Sequence, residues 1–257
     1  MSLLAGCGSS KGGDTPTDKD VAESDMQYVK DKGTLVVGIT DFAPMDYKDA
    51  NGEWIGYDAD LAKAFAERLG VKVEFVEIDW DNRVFELDGK TIDCVWNGMT
   101  LSDDMLSSAE CTNPYLNNSQ IVIVPKDKAD QYQDVDSLKD LNFAVESGSA
   151  GHEVASEMGL NYVEVKTQAD TLMEVKSGTS DASIIDSLMA AAMVGEGTGY
   201  ADLTYTVGLS DEKYGVAFRK GSDLAAELNS FFKESYDDGS MMALAEKYGV
   251  QAAVIEQ

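Results

Sequence analysis

Two stretches of the chain, VEFVEIDWDNRVFELDGKTIDCVWN at 73–97 and NYVEVKTQADTLMEVKSGTSDASIID at 161–186, repeat one grammar: strand, polar break, short helix, glycine, aspartate, strand. A strand that returns through a helix comes back parallel to the one it left. Such a chain therefore builds parallel sheet with helices packed on its faces. The recurrence predicts an α/β protein with two lobes of one design. With 257 residues and 44% hydrophobic content, the chain can bury the two modest cores that such lobes need. In open parallel sheets, ligands sit beyond the carboxyl ends of the strands. Asn97 to Thr100, Ser147 to Gly151 and Asp186 all follow strands, so they are expected to face one crevice.

The remaining segments fill in around this repeat. Thr34 to Ile39 is a short apolar run that reads as a buried strand. Tyr47-Lys48 and Glu53 to Tyr57 flank Asn51-Gly52, the signature of a hairpin. Asp58 is placed to cap a helix with the stripe Leu61, Ala62, Phe65 and Leu69, which Gly70 stops. Asn142 to Val145 is a strand, Ser147 to Gly151 a small-residue loop and His152 to Met158 a helix. Tyr214 to Phe218 is a last strand, followed by a helix carrying Leu224, Leu228, Phe231 and Phe232. Another helix runs from Met241 to Tyr248, with Gly249 at its end. In WNGMTLSDDM (96–105), a strand enters a polar corner and Ser102 reads as the cap of a helix. Asp103 and Asp104 lie in the first turn, and the free N–H groups of such a corner suit a small polar ligand.

A net charge of -27 argues against nucleic acid or an anionic membrane surface as partner. No run approaches the ~20 apolar residues of a membrane span. His152 is the only histidine, and no Cys-x-x-Cys pair occurs, so no multi-histidine metal site is expected and no cofactor is implied. Gly148-Ser-Ala-Gly151 lacks the Gly-Lys-Ser/Thr ending of a phosphate loop. His152 is expected to be exposed in a first helical turn. Cys94 and Cys111 fall on separate predicted strands and are expected to be free thiols.

Several segments together carry a resemblance. They are Val-Gly-Ile-Thr-Asp-Phe-Ala-Pro (37–44), Gly-Tyr-Asp-Ala-Asp-Leu-Ala-Lys-Ala (56–64), Ile-Asp-Trp-Asp (78–81), Asn-Gly-Met-Thr (97–100), Asn-Pro-Tyr (113–115) and Tyr-Gly-Val-Ala-Phe-Arg-Lys-Gly (214–221). In this order they resemble the polar amino-acid-binding family, family 3 of the solute-binding proteins of bacterial ABC importers. The resemblance spans about Lys32 to Val250. It implies a two-lobed periplasmic-binding-protein fold of type II, with lobe 1 at 25–117 plus 213–257 and lobe 2 at 118–212. Crossovers fall near Leu116 to Gln120 and Leu209 to Lys213, and the lobes close like a hinged trap on a ligand delivered to a permease.

The resemblance also implies roles. Phe42 aligns with an aromatic that covers the ligand, Trp80 with a second aromatic wall. Asn97, Gly98, Met99 and Thr100 form the segment that grips ammonium and carboxylate. Ser149 and Ala150 align with a helix-start contact to the carboxylate, and Asp186 with the carboxylate that pairs with the α-amino group. Asp186 could instead merely cap the following helix. One position departs from the pattern: the family has a carboxylate-binding arginine where this chain has Met105. Three explanations stay open. Arg83 swings in, although its place on an amphipathic helix predicts a solvated side chain. Alternatively, N–H groups and hydroxyls alone hold the carboxylate, or the ligand is an amine or modified amino acid without one. Asp41, Asp103, Asp104, Glu146 and Asp186 near the crevice favour a ligand with positive charge, and Met105 then offers an apolar contact.

Leu4-Ala5-Gly6-Cys7, followed by the Gly/Ser/Thr/Asp-rich GSSKGGDTPTDKD, resembles a bacterial lipobox and its tether (1–24). It implies diacylation at Cys7 and a lipid-anchored, extracellular or periplasmic monomer. The basic and apolar regions of a full signal are missing upstream, so Met1 to Leu3 are expected to be the remnant of a longer leader. The leading alternative is a dehydratase-like enzyme using Glu146 or Asp186 on a prephenate-like substrate, and a ligand-sensing module is the other.

Overall fold

The computed structural model describes residues 24–257. Cys7 and the tether up to Glu23 lie outside the described residues. Eleven strands form in chain order: β1 (Thr34–Ile39), β2 (Tyr47–Lys48), β3 (Trp54–Ile55), β4 (Lys72–Glu77), β5 (Cys94–Thr100), β6 (Glu110–Cys111), β7 (Leu116–Pro125), β8 (Asn142–Glu146), β9 (Asn161–Val165), β10 (Ala182–Asp186) and β11 (Leu203–Phe218). Nine α-helices alternate with them: α1 (Asp25–Lys32), α2 (Tyr57–Leu69), α3 (Arg83–Asp88), α4 (Asp103–Ser108), α5 (Ala150–Glu157), α6 (Gln168–Ser177), α7 (Ser187–Met193), α8 (Leu224–Asp237) and α9 (Ser240–Tyr248). The expected hairpin is the β2–β3 pair.

The other nine strands make one sheet, ordered β4-β1-β5-β11-β7-β10-β8-β9, with β6 on β11. The internal repeat is visible in that order. β1 stands between β4 and β5 with parallel register, and β8 stands likewise between β9 and β10. The expected parallel lobes are therefore these two outer triplets. Between them run β7 and β11, antiparallel to each other from Leu203↔Pro125 to Tyr214↔Leu116 and antiparallel to their neighbours. The chain passes from one triplet to the other along these two strands, which the sequence showed only as crossover segments and a short final strand.

Apolar packing follows the same division. Val122, Val124, Leu138, Phe143, Val145 and Ile184 form one core under the β8 triplet. Phe65, Trp96, Tyr115, Phe231 and Phe232 stack in a larger core against α2 and α8. A third cluster, containing Ile78, Leu87, Ile92 and Val95, covers the other face of the β1 triplet. The chain ends of helices behave as their residues dictate: Gly70 takes φ 75° after α2, and Ser102 caps α4 by accepting the Met105 N–H at 3.3 Å.

Asp58 departs from expectation. Gly56, not Asp58, precedes α2, and the Asp58 side chain turns into the core with no exposure. There it accepts the Gly98 N–H at 2.7 Å and the Tyr115 hydroxyl at 2.8 Å. A buried carboxylate persists only when its lone pairs are filled, and these donors fill them. The bond pins the second half of β5, where the sequence suggests that the strand is already over. Gly98 adopts φ 54°, and a Cβ there would meet the Phe42 ring at 2.3 Å. Gly98→Ala should therefore cost about 2–4 kcal/mol through strain and overpacking. Urea denaturation checks this; an unchanged midpoint would contradict it.

Candidate ligand-binding site

Between the two triplets, beyond the ends of β1, β5, β8 and β10, lies about 450 Å³ of space, part of it open to solvent. Ten of the twelve residues expected at the ligand line it: Phe42, Trp80, Asn97, Gly98, Met99, Thr100, Glu146, Ser149, Ala150 and Asp186. The carboxyl ends of the parallel strands converge there as the repeat predicted.

Two expected residues are elsewhere. Asp41, two residues past the end of β1, is exposed and does not line the cavity. Met105 is 1% exposed and packs with Ile78, Trp80, Leu87 and Val95 on the inner face of α4. It is a core residue there, with no face toward the cavity. Asp103 and Asp104 are exposed and also lie off it.

Thr40, Ser102, Glu153 and Gln168 line the cavity without having been singled out for it, and Arg83, raised as one of three open explanations, lines it too. Arg83, expected to be solvated, is partly buried instead. Its Cζ lies 5.0 Å from the Trp80 ring centroid, and Nη1 donates to the Trp80 carbonyl at 2.8 Å. Gln168 could have been found from the repeat, since it follows β9 much as Trp80 follows β4.

The Asn97 side chain is fully used within its own half. Its Oδ1 accepts from the Thr40 N–H at 3.0 Å and hydroxyl at 2.7 Å, and its Nδ2 donates to Asp46 at 2.8 Å. The Gly98 N–H is likewise held within this half, by Asp58. On the facing half, the Ser149 hydroxyl caps α5 by accepting the His152 N–H at 3.1 Å. His152, expected to be exposed, is half-buried: Nδ1 accepts the Gly148 N–H and Nε2 meets the Tyr162 hydroxyl, each at 3.1 Å. It fixes the loop before α5.

Asp186 gathers the floor of the site. Oδ1 accepts from Asn118, from Gln120 at 3.0 Å and from the Tyr214 hydroxyl at 2.6 Å, and Oδ2 accepts from Gln168. Its side chain caps no helix, although Asp186 precedes α7. Asn118 and Gln120 also donate to Glu212 of β11. Burial raises Asp186, and burial followed by the Asp186 charge raises Glu212, so the pair holds protons more tightly than free carboxyls do. Glu146 is pushed up to about 8 by burial, partly offset by Arg83, and its Oε1 has no partner. Among the described residues no cluster of three or more candidate metal ligands occurs, and no helix is long and apolar enough to cross a membrane. Cys94 and Cys111 are free.

Two like α/β halves, joined by paired crossing strands and facing each other across a polar cavity, define a two-lobed binding protein of the type II periplasmic fold. The chain belongs to the bacterial extracellular solute-binding proteins, family 3, whose pattern it matches over residues 35–251. It is 29% identical to the L-cystine-binding protein TcyJ of Escherichia coli over 228 residues, 87% of this chain and 85% of that one. It is 27% identical to the arginine-binding extracellular protein ArtP of Bacillus subtilis over 84% of this chain and 86% of that one. Among solved structures it is similar to AncCDT-1, an ancestral amino acid-binding protein and precursor of cyclohexadienyl dehydratase. The TM-score there is 0.80 at 34% identity, covering 88% of this chain and 99% of that one.

The buried acids have a consequence for stability. Between the ordinary glutamate value of 4.5 and about 8, folded Glu146 keeps a proton that the unfolded chain has released. The unfolded state then binds fewer protons, so stability falls as pH rises through this window. The Asp186–Glu212 pair acts in the same direction. The ligand-free protein should melt at a higher temperature at pH 5.5 than at pH 8, and Glu146→Gln should flatten that slope. A wild-type melting temperature that climbs with pH would contradict the assignment.

Proposed function

We propose that the protein is an extracellular solute-binding protein that captures a small amino acid, or a related amine, between its lobes and delivers it to an ABC permease. Lobe 1 would be 25–117 plus 213–257 and lobe 2 would be 118–212. The pairing supports these boundaries, since β11 leaves β7 for β5 near Tyr214. The observation that carries the reading is the buried Asp186 carboxylate on the cavity wall, an acid placed to pair with an ammonium group. Similarity to relatives that bind cystine and arginine supports the same class of ligand. Diacylation at Cys7, a monomeric state and action without a cofactor belong to this proposal.

A second reading has one observation in its favour. Glu146, protonated near neutral pH and without a partner on Oε1, could serve as a general acid, and AncCDT-1 is a precursor of a dehydratase. The binding reading gives Glu146 a simpler task, that of a neutral donor or a counter-charge for a cationic ligand.

A melting-temperature screen with the standard L-amino acids, L-cystine and prephenate separates the two. At about 100 times its dissociation constant, a true ligand adds about 2.7 kcal/mol of stability. At least one amino acid should produce such a shift, and prephenate should show no turnover. Prephenate turnover that Glu146→Gln abolishes would establish the enzyme instead. No shift with any amino acid would overturn the proposal.

A further inference from the structure

The chain has three arginines, Arg68, Arg83 and Arg219. Arg68 pairs with Glu227 at 3.1 Å and with Glu234. Arg219, largely buried, pairs with Asp25 at 3.0 Å and Asp93 at 3.3 Å and donates to the Ile92 carbonyl at 2.8 Å. Arg83 makes no ion pair among the described residues, although Glu146 and Glu153 stand near it. Among the described residues it is the only basic side chain lining the cavity.

A guanidinium carries five N–H donors. Arg83 uses one bond, to the Trp80 carbonyl, and its Nε is shut away from solvent without a partner. An unfilled, buried, charged donor is costly, so a protein keeps one only where another group fills it. The geometry is also preset. The Arg83 Cζ lies over the Trp80 ring, 5.0 Å from its centroid, in a cation–π contact. A Cβ on Gly148 would lie 3.3 Å from Nη1, so Arg83 reaches from α3 to the loop that opens α5 in the other half. The capped start of α5, with Ser149 and Ala150, lies on the same cavity. Two features that favour an anion therefore meet from opposite halves. Asp186 stands on the same cavity, as do Glu146 and Glu153 near Arg83, so the cavity carries charges of both signs.

We propose that Arg83 is the carboxylate clamp of this site, so that the captured solute is an amino acid with its carboxylate free, not an amine or a carboxylate-masked derivative. This rests on the binding-protein reading above and assigns its specificity. The carboxylate oxygens accept from the unused edge of the guanidinium in the bidentate form that arginine alone provides. Met105, in the core behind Trp80, takes no part.

Calorimetric titration of wild type, Arg83→Met, Arg83→Gln and Arg83→Lys tests this. The probes are the standard L-amino acids and L-cystine, with the α-amide of each acid that binds. Wild type should prefer the acid to its amide by about a hundredfold, the scale of a charged bidentate bond. In Arg83→Met and Arg83→Gln the preference should fall below about tenfold, with amide affinity held within about threefold. Arg83→Lys should lie between. A general loosening of the cleft would weaken acid and amide alike, so the ratio separates the clamp from a structural role. Two results overturn the clamp while leaving the binding protein intact: wild-type preference retained in both Arg83→Met and Arg83→Gln, or amide bound by wild type as well as acid. Absence of binding by every amino acid to wild type would instead overturn the reading beneath it, and the clamp with it.

Discussion

The Asp186 carboxylate accepts hydrogen bonds from Asn118 and Gln120 of β7, Tyr214 of β11 and Gln168 of α6. An ionised or half-protonated carboxyl at 2% exposure is tolerated only with its lone pairs filled, so these four side chains are held to it. Two of the donors sit on one crossing strand, the third on the other, and the fourth on a helix of the second half. The same contacts that satisfy a buried acid therefore tie the crossing strands to the floor of the cavity. Removing Asp186 would orphan those donors, so the residue bears on stability whatever its part in binding.

The second half of β5 works on the same logic from the other half of the molecule. Asp58 takes the Gly98 N–H and the Tyr115 hydroxyl, and burial raises it to about 6. Asn97 is locked by Thr40 and Asp46. Both walls of the site are thus polar networks that leave few groups unpaired: the Glu146 Oε1, the remaining lone pair of the Asp186 Oδ2 beside Gln168, and the Arg83 N–H groups. Pre-satisfied walls with a few unfilled charged groups are what a small, charged solute would recognise with little reorganisation.

The outer strands and the helices packed on them were legible in the sequence because apolar periodicity and capping residues announce them. Thr34 to Ile39, the α2 stripe and the repeat at 73–97 and 161–186 all formed as read. β7 and the first two thirds of β11 were not legible. Asn118, Gln120 and Glu212 interrupt their apolar alternation, and these are the residues turned toward Asp186. Function replaced the pattern that would have revealed the strand. The same cause misplaced Asp58, whose position suits a helix cap but whose carboxylate serves Gly98 in the core. Most of the site was readable from strand ends and motif order. Arg83 and Met105 exchanged their expected environments because helix phase decides burial, and phase in helices of six residues is poorly fixed by sequence.

Of the ionisable groups on the cavity, Arg83, Glu146, Glu153 and Asp186, the proposal gives Arg83 the solute's carboxylate and Asp186 its ammonium. A crystal structure of the protein with an amino acid that stabilises it tests this most directly. The account places the carboxylate within about 3.2 Å of the Arg83 guanidinium and the ammonium within about 3.2 Å of Asp186. An amino acid bound with its carboxylate turned away from Arg83, or seated outside this cavity, would contradict it.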